Sequence, residues 1–411
     1  MRFSDFFVKT LRTPPRDEES VNSRLLVQAG FVNKLASGLY TFLPPGLRVL
    51  DKIENIVREG MNNAGGAELL MPTLHPAENW SKTGRWQSFD ALFKTKGKSG
   101  SEYALGPTHE EVIYPLLKHF VSSYKDLPKA LYQIQTKFRD EPRAKSGLLR
   151  TREFRMKDLY SFHTEVEDRD HYYEVMRKAY LKVFKRLDLE AVETKASGGT
   201  FSEFSAEFQV VADAGEDTIY YCHECKKAIN QEIVSQKAPK CPECGRITEE
   251  RRAIEVGNIF PLKKKFAEDF NLTFKDEKGK DRLVEAGCYG LGTSRAMGAI
   301  VETHHDDRGI VWPEEAAPFK VHLINLIGSK IEAEKIYEGL GKENALYDDR
   351  SSAAATAGEK FMDADLIGIP WRIVISEKTM ADKKIEIKRR DEKEGNLMSP
   401  KELIKKFGHA G

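Results

Sequence analysis

Two stretches of this chain carry side chains whose types and spacing could do chemistry. The first is residues 137–163, KFRDEPRAKSGLLRTREFRMKDLYSFH, in which Arg139, Glu141, Arg150 and Arg152 sit among apolar residues that return at strand spacing. Guanidinium groups are planar donor forks suited to phosphate and carboxylate oxygens, and a neighbouring glutamate can accept from an amino group. These four residues are therefore candidates for a nucleotide clamp, although on composition alone a salt-bridged, solvated hairpin has an equal claim. The second stretch holds Cys222-x-x-Cys225 and Cys241-x-x-Cys244, two thiol pairs with fifteen residues between them. That spacing suits a tetrahedral zinc site in preference to ordinary reduced cysteines, and four thiolates leave no open coordination position, so the metal would be structural. Cys288, the fifth cysteine, reads as a small packed residue.

The elements that must position these groups follow from periodicity. Phe138, Leu148, Phe154, Met156 and Leu159 read as the packed sides of two strands joined by a polar turn at 142–147. Amphipathic helices are expected over 17–35 and 44–64, the second opened by Pro44 and Pro45 and stopped by Gly65 and Gly66. A short strand, GAELLMP, follows. Further helices are expected over 108–124 and 169–187, with apolar stripes that read as core. In isolation Thr108, His109, Glu110 and Glu111 would cap and charge the first turn of the 108–124 helix. Strands are expected at 208–211, 219–221, 253–259 and 282–288. This predicts an α/β fold with a mainly antiparallel sheet and flanking helices, unlike a doubly wound dinucleotide domain. GLGTSR also departs from GxGxxG in its last residue. Trp312-Pro313 and Ala316-Ala317-Pro318 mark a boundary, after which strands at 320–327, 345–347 and 371–376 alternate with helices at 329–339 and 352–364, a separate α/β domain.

FRDE followed by TREFRMKDLYSFH resembles motif 2 of the class II aminoacyl-tRNA synthetases, and in wording the prolyl-tRNA synthetases of bacterial and mitochondrial type. GAELLMPTLHPAENW (66–80) resembles motif 1, GCYGLGTSRAMGAIVE (287–302) motif 3, and GPTHEE (106–111) the family's proline-recognition loop. YDDR, EKFMDADLIGIPWRIVI and KIEIKRR resemble its anticodon-binding domain. The resemblance implies a catalytic domain over 1–315, with a zinc-binding mini-insertion at 220–250, and an anticodon-binding domain over 316–411. It implies ATP-dependent activation of proline with Mg2+, then transfer to proline tRNA, by a homodimer.

In that reading Arg139 holds the carboxylate and the α-phosphate, Glu141 meets the adenine amino group, and Arg295 meets the outer phosphates. Arg150, Arg152, Glu255 and Thr293 complete the nucleotide site; Thr108, Glu110 and Asn258 belong to the amino-acid site. Arg350, Lys360, Asp363, Glu386 and Lys388 are the expected tRNA contacts, with phosphate attraction an equal account of Lys388. Two departures stand out: the family pattern has histidine where this chain has Ala206 and Asn258. The space between AINQEI and RRAIEVGNIF is too short for a hydrolytic editing domain, so no editing in cis is expected.

Composition sets the remaining bounds. A formal charge of +1 with 31% charged residues gives no bulk signal for nucleic acid, so any tRNA surface must be local. No apolar run approaches a membrane span and the opening MRFSDFFVKTLRTPP lacks a signal-peptide core, so a soluble, cytoplasmic protein is expected. The alternative to an enzyme is a synthetase-like tRNA-binding or regulatory protein of weak or no activity.

Overall fold

The structure, a computed structural model, describes every residue except 8, 17, 200–203, 236–238, 328–329 and 409–411. Several expectations lie partly outside the described residues, among them the start of the 17–35 helix, the beginning of the 203–209 segment, residues 236–238 of the 220–250 mini-insertion, the first residue of the 329–339 helix and the last residues of the 316–411 domain. By contact the chain forms two compact units, Leu35–Tyr40 with Ile53–Ala299, and Met1–Lys34 with Thr41–Lys52 and Ile300–Gly411.

The first unit is built on a nine-stranded sheet whose heart is the expected hairpin. Lys129–Phe138 pairs antiparallel with Glu153–His163 in unbroken register from Lys129↔Phe162 to Phe138↔Glu153. Tyr132, Leu159, Tyr160 and Phe162 are fully buried, and since the consecutive Leu159 and Tyr160 point to opposite faces, the hairpin is packed on both sides of the sheet. From one edge the strand order is Phe204–Val211, Ala191–Ser197, Lys227–Asn230, Asp217–Cys222, Glu249–Lys263, Glu285–Leu291, Glu153–His163, Lys129–Phe138 and Ala67–Glu68. Pairing is antiparallel except where Lys227–Asn230 meets Ala191–Ser197 and where Ala67–Glu68 meets Lys129–Phe138. Phe204–Val211 also pairs with Glu249–Lys263, so the first five strands close into a ring. Helix Val166–Arg186 covers the sheet, with Tyr180 and Phe184 against Phe208 at ring separations of 5.2 and 5.6 Å.

Two helices are shorter than their periodicity suggests. The 17–35 stretch is helical only over Val21–Gln28: Gly30 takes φ 76°, the left-handed turn that ends a helix, and Val32–Ala36 is a strand. The 108–124 helix is confined to Glu110–Leu117, and of GAELLMP only Ala67–Glu68 pairs as a strand. The 44–64 helix forms over Pro44–Asn63 with Leu50, Ile53, Ile56 and Val57 buried.

In the second unit a five-stranded sheet runs Ala345–Asp348, Val321–Asn325, Trp371–Ile375, Ile385–Arg389, Asn396–Met398. The first three are parallel and the last two antiparallel. Helix Ala357–Ile367 opens with a capping box between Thr356 and Glu359, and helix Pro400–Phe407 with one between Ser399 and Glu402. The bidentate pair of Arg390 with Asp306, at 2.6 and 2.8 Å, ties residues before the expected boundary at 315 to this unit.

Glu54 joins three elements of the first unit: its carboxylate accepts from Arg155 Nε at 2.8 Å and Nη2 at 2.9 Å and from Thr293 Oγ1 at 3.2 Å. Glu54→Ala strands the buried Thr293 hydroxyl and the partly exposed Arg155, and should cost about 2 kcal/mol of stability, read by urea unfolding of the purified chain.

Candidate active site

The site begins where the Lys129–Phe138 strand ends. Arg139 continues the ladder, its N–H donating to Arg152 O at 2.8 Å, and its guanidinium lies over the Phe154 ring at 5.1 Å. Burial, then the charge of Arg295, lowers its pKa, and its Nε is buried with no hydrogen-bond partner among the described residues. A buried donor without an acceptor costs free energy unless something arrives to accept from it. Arg139 lines two cavities of about 240 and 380 Å³, and Glu255 and Arg295 line both as well.

The larger cavity holds Thr108, Glu110, Asn258, Cys288 and two residues that sequence reasoning missed, Arg85 and Asp158. Arg85 Nη1 lies 3.2 Å from Glu110 Oε2 and 3.0 Å from Glu111 Oε1, all three side chains being buried. Thr108 Oγ1 donates to Glu110 Oε2 at 2.5 Å. Burial pushes the Glu110 carboxyl up, but the Arg85 charge and the Thr108 hydroxyl outweigh it and hold Glu110 below the ordinary glutamate value. Glu111 is driven the other way, to about 7, by burial that Arg85 only partly offsets and by the Glu110 charge beside it. One arginine thus keeps one of two adjacent acids ionised.

Beneath this loop lies a wholly buried polar layer. Lys137 Nζ sits 2.8 Å from Asp158 Oδ1 and 2.6 Å from His109 Nδ1. His109 Nε2 donates to Pro72 O at 3.0 Å, and burial and the lysine charge hold the imidazole neutral. Tyr160 OH accepts from the His109 N–H at 2.9 Å and donates to Asp158 Oδ2 at 3.1 Å. With both ring nitrogens engaged, His109 is a support and no catalytic base. Gly106 allows the layer to close, since a Cβ there would fall 2.6 Å from the His75 ring. Arg85 lies in SKTGRW, just past the end of the quoted 66–80 segment, and nothing in the pattern there marks it as a partner of Glu110.

The smaller cavity carries the nucleotide candidates. Arg150 Nε lies 2.8 Å from Glu141 Oε2, and its Nη1 2.5 Å from Glu216 Oε2. Arg295 Nη1 donates to Glu255 O at 2.7 Å and lies 3.2 Å from Glu255 Oε2. Asn258 Nδ2 donates to Glu255 Oε1 at 3.1 Å. Two expected members lie elsewhere: Arg152 turns to Ser37 O at 2.7 Å, and Thr293 is buried against Glu54. Neither lines a cavity that holds Arg139. Ala206 lines a third cavity beside Cys222 and Cys241, so the missing imidazole there leaves the larger cavity unaltered.

The four cysteines of the two pairs converge, with all sulfurs within 4.8 Å of one another and Cys222–Cys244 and Cys225–Cys241 at 3.6 and 3.9 Å. Zn–S bonds of about 2.3 Å require tetrahedral edges of roughly 3.8 Å, so the donor set fits zinc.

In the second unit Arg350, Lys360 and Asp363 come together, whereas Glu386 and Lys388 lie on a strand two removed in the sheet. Lys360 and Asp363 are only 2% and 1% exposed. Lys360 Nζ donates to Asn325 O at 2.7 Å, and Asp363 Oδ2 lies 2.9 Å from Arg350 Nη2. The expectation that these two face RNA meets buried side chains engaged inside the domain.

Residues 93–304 match the family described as tRNA synthetase class II core domain (G, H, P, S and T), and residues 320–409 the anticodon binding domain. The chain is 37% identical over 427 residues to the proline--tRNA ligase of Ehrlichia ruminantium (strain Gardel), with 99% of each covered. It is 39% identical over 422 residues to that of Wolbachia pipientis wMel, again with 99% of each covered. Among solved structures, Giardia lamblia prolyl-tRNA synthetase in complex with prolyl-adenylate is similar in fold, with a TM-score of 0.78 and 21% identity over 93% of this chain and 75% of that one.

The Glu111 carboxyl supplies a pH test. Its folded pKa, about 7, lies above the unfolded value near 4.5, so the folded state holds the extra proton between them and loses stability as pH rises through that window. Glu111→Gln cannot ionise, so its unfolding free energy should fall less than the parent's between pH 5 and pH 8, measured by denaturant titration at each pH.

Proposed function

The chain belongs to the proline--tRNA ligases of the class II aminoacyl-tRNA synthetases, and from that premise we propose how its own residues divide the reaction. It activates L-proline with ATP to prolyl-adenylate and transfers the prolyl group to the 3′ end of proline tRNA. The observation that carries the assignment is the buried, unpartnered Nε of Arg139, in a wall common to both cavities.

In the larger cavity the proline ammonium meets Glu110 and the Thr108 hydroxyl, with Asn258 at the margin. The carboxylate points to Arg139, which also receives the α-phosphate. A carboxylate oxygen attacks that phosphorus as the bond to the pyrophosphate oxygen breaks, a step that needs alignment and positive charge and no covalent nucleophile. Glu141 accepts from the adenine amino group, Arg150 supports the phosphates and Arg295 meets the outer ones. Mg2+ would neutralise phosphate charge, held by Glu255 together with nucleotide oxygens. Arg152 and Thr293 act at one remove, the first steadying the hairpin loop through Ser37 and the second holding Glu54.

Cys222, Cys225, Cys241 and Cys244 hold one structural Zn2+. A functional division near residue 315 leaves tRNA identity to the C-terminal domain, where Arg350, Glu386 and Lys388 contact the anticodon and Lys360 and Asp363 brace Arg350. A homodimer through the 66–80 segment is supported by Leu70 and Leu74, which are 74% and 47% exposed there. Reduced cysteine ligands and a tRNA substrate fit the cytoplasm. Among the described residues no helix is long and apolar enough to cross a membrane.

Amino-acid-dependent pyrophosphate exchange with proline, alanine, threonine and cysteine should respond to proline above the rest. Arg139→Ala should lower exchange turnover at least ~100-fold, and Glu110→Gln should raise the proline KM by ~10-fold or more. Undiminished exchange by a folded Arg139→Ala protein would remove that residue from the reaction.

Metal analysis of the purified chain should give one zinc per subunit, reduced by Cys222→Ser. Full occupancy after substitution of all four cysteines would exclude the site.

A further inference from the structure

Residues 1–7 and 9–12 form a strap on the domain that carries Arg350. Phe3 N donates to Tyr347 O at 2.7 Å and Tyr347 N to Met1 O at 2.9 Å, extending the edge strand Ala345–Asp348. Arg2 Nη1 donates to Glu334 Oε1 at 2.6 Å, and the Ser4 N–H and hydroxyl to Asp349 at 2.9 and 2.6 Å. These bonds fix Phe3, 8% exposed, with Arg350 Cζ 4.0 Å over its ring centroid. The strap also reaches the acid that braces Arg350, since Thr10 Oγ1 donates to Asp363 Oδ1 at 2.6 Å.

Arg350 is therefore held by an edge and a face. Asp348 takes Nε at 2.9 Å and Nη2 at 2.6 Å, Asp363 approaches Nη2, and Phe3 covers one face of the guanidinium. Among the described residues Nη1 has no hydrogen bond, and the Arg350 side chain keeps 18% of its surface exposed. Arginine planes stack on unpaired RNA bases and read their edges, and a side chain fixed in advance loses little entropy on binding. An apolar residue without a π face would fill the same space and leave the guanidinium plane unset.

Resting on the assignment of Arg350 to the anticodon, we infer that Phe3 is a positioning residue for anticodon discrimination, setting the plane of Arg350 from a segment remote from it in sequence.

The test uses the full chain, proline tRNA, and transcripts substituted at each anticodon base, with charging kcat/KM and proline-dependent pyrophosphate exchange measured side by side. Phe3→Leu should lower charging of proline tRNA about 10-fold, chiefly through KM, and narrow its margin over the substituted transcripts, while exchange stays at the parental rate. Phe3→Tyr, which restores an aromatic face, should recover both charging and margin. Parental charging and margin in Phe3→Leu would overturn the inference, and so would equal losses of charging and exchange, which mark a structural role only. Arg350→Ala separates the two claims. If it keeps the parental margin, the anticodon assignment of Arg350 falls; if it loses the margin while Phe3→Leu keeps it, only the role of Phe3 falls.

Discussion

The catalytic unit depends on the cost of burying Arg139 Nε without an acceptor. A guanidinium removed from water is tolerated only where other charges are placed to answer it, and here they stand around the two cavities: Glu110 and Glu255 against it, Arg85 and Arg295 beside them. Arg85, Arg139 and Arg295 are matched in the larger cavity by Glu110, Asp158 and Glu255, and Glu141, Glu216 and Asp217 set further acids around the smaller one. The unpartnered Arg139 Nε is complementary to charge that builds on a transferring phosphoryl group, so the desolvation penalty of the free protein becomes stabilisation when ATP and a carboxylate enter.

The acids are kept apart in the same way. Arg85 lies between Glu110 and Glu111, and Thr108 tips the balance so that the carboxylate facing the cavity is the charged one. Lys137, Asp158 and neutral His109 then fix the loop from below, Asp158 alone of the three reaching the wall of the larger cavity. This places rigidity under the recognition loop, where a small misalignment of ammonium and carboxylate would be felt directly in the rate.

Much of this was legible from local pattern. Alternation from Phe138 to Leu159 specifies the hairpin, and the thiol spacing specifies the cysteine cluster, because both signals lie within one or two elements. The partners that complete the site were not legible. Arg85 reaches Glu110 across 25 residues, and Lys137 is a charged residue buried to 0% exposure, which no propensity anticipates. Lys360 and Asp363 read as surface charges in a helix that turns that face inward, and residues 17–35 kept helical spacing past Gly30, where the backbone itself ends the helix. Arg152 and Thr293 follow motifs faithfully yet serve Ser37 and Glu54, since a motif fixes residue order and leaves side-chain direction to packing.

Asn258 shows how a departure from the family pattern can be absorbed. Its amide donates to Glu255 at 3.1 Å and to Glu207 at 3.4 Å, linking the acid at the phosphate side to one behind it. Burial, and then the Glu255 charge, push Glu207 up to about 8. An imidazole at 258 could bring its own proton equilibrium into this pair; the amide supplies a donor with no charge of its own. The substitution therefore keeps a hydrogen bond to Glu255 and removes a titration from the edge of the amino-acid cavity.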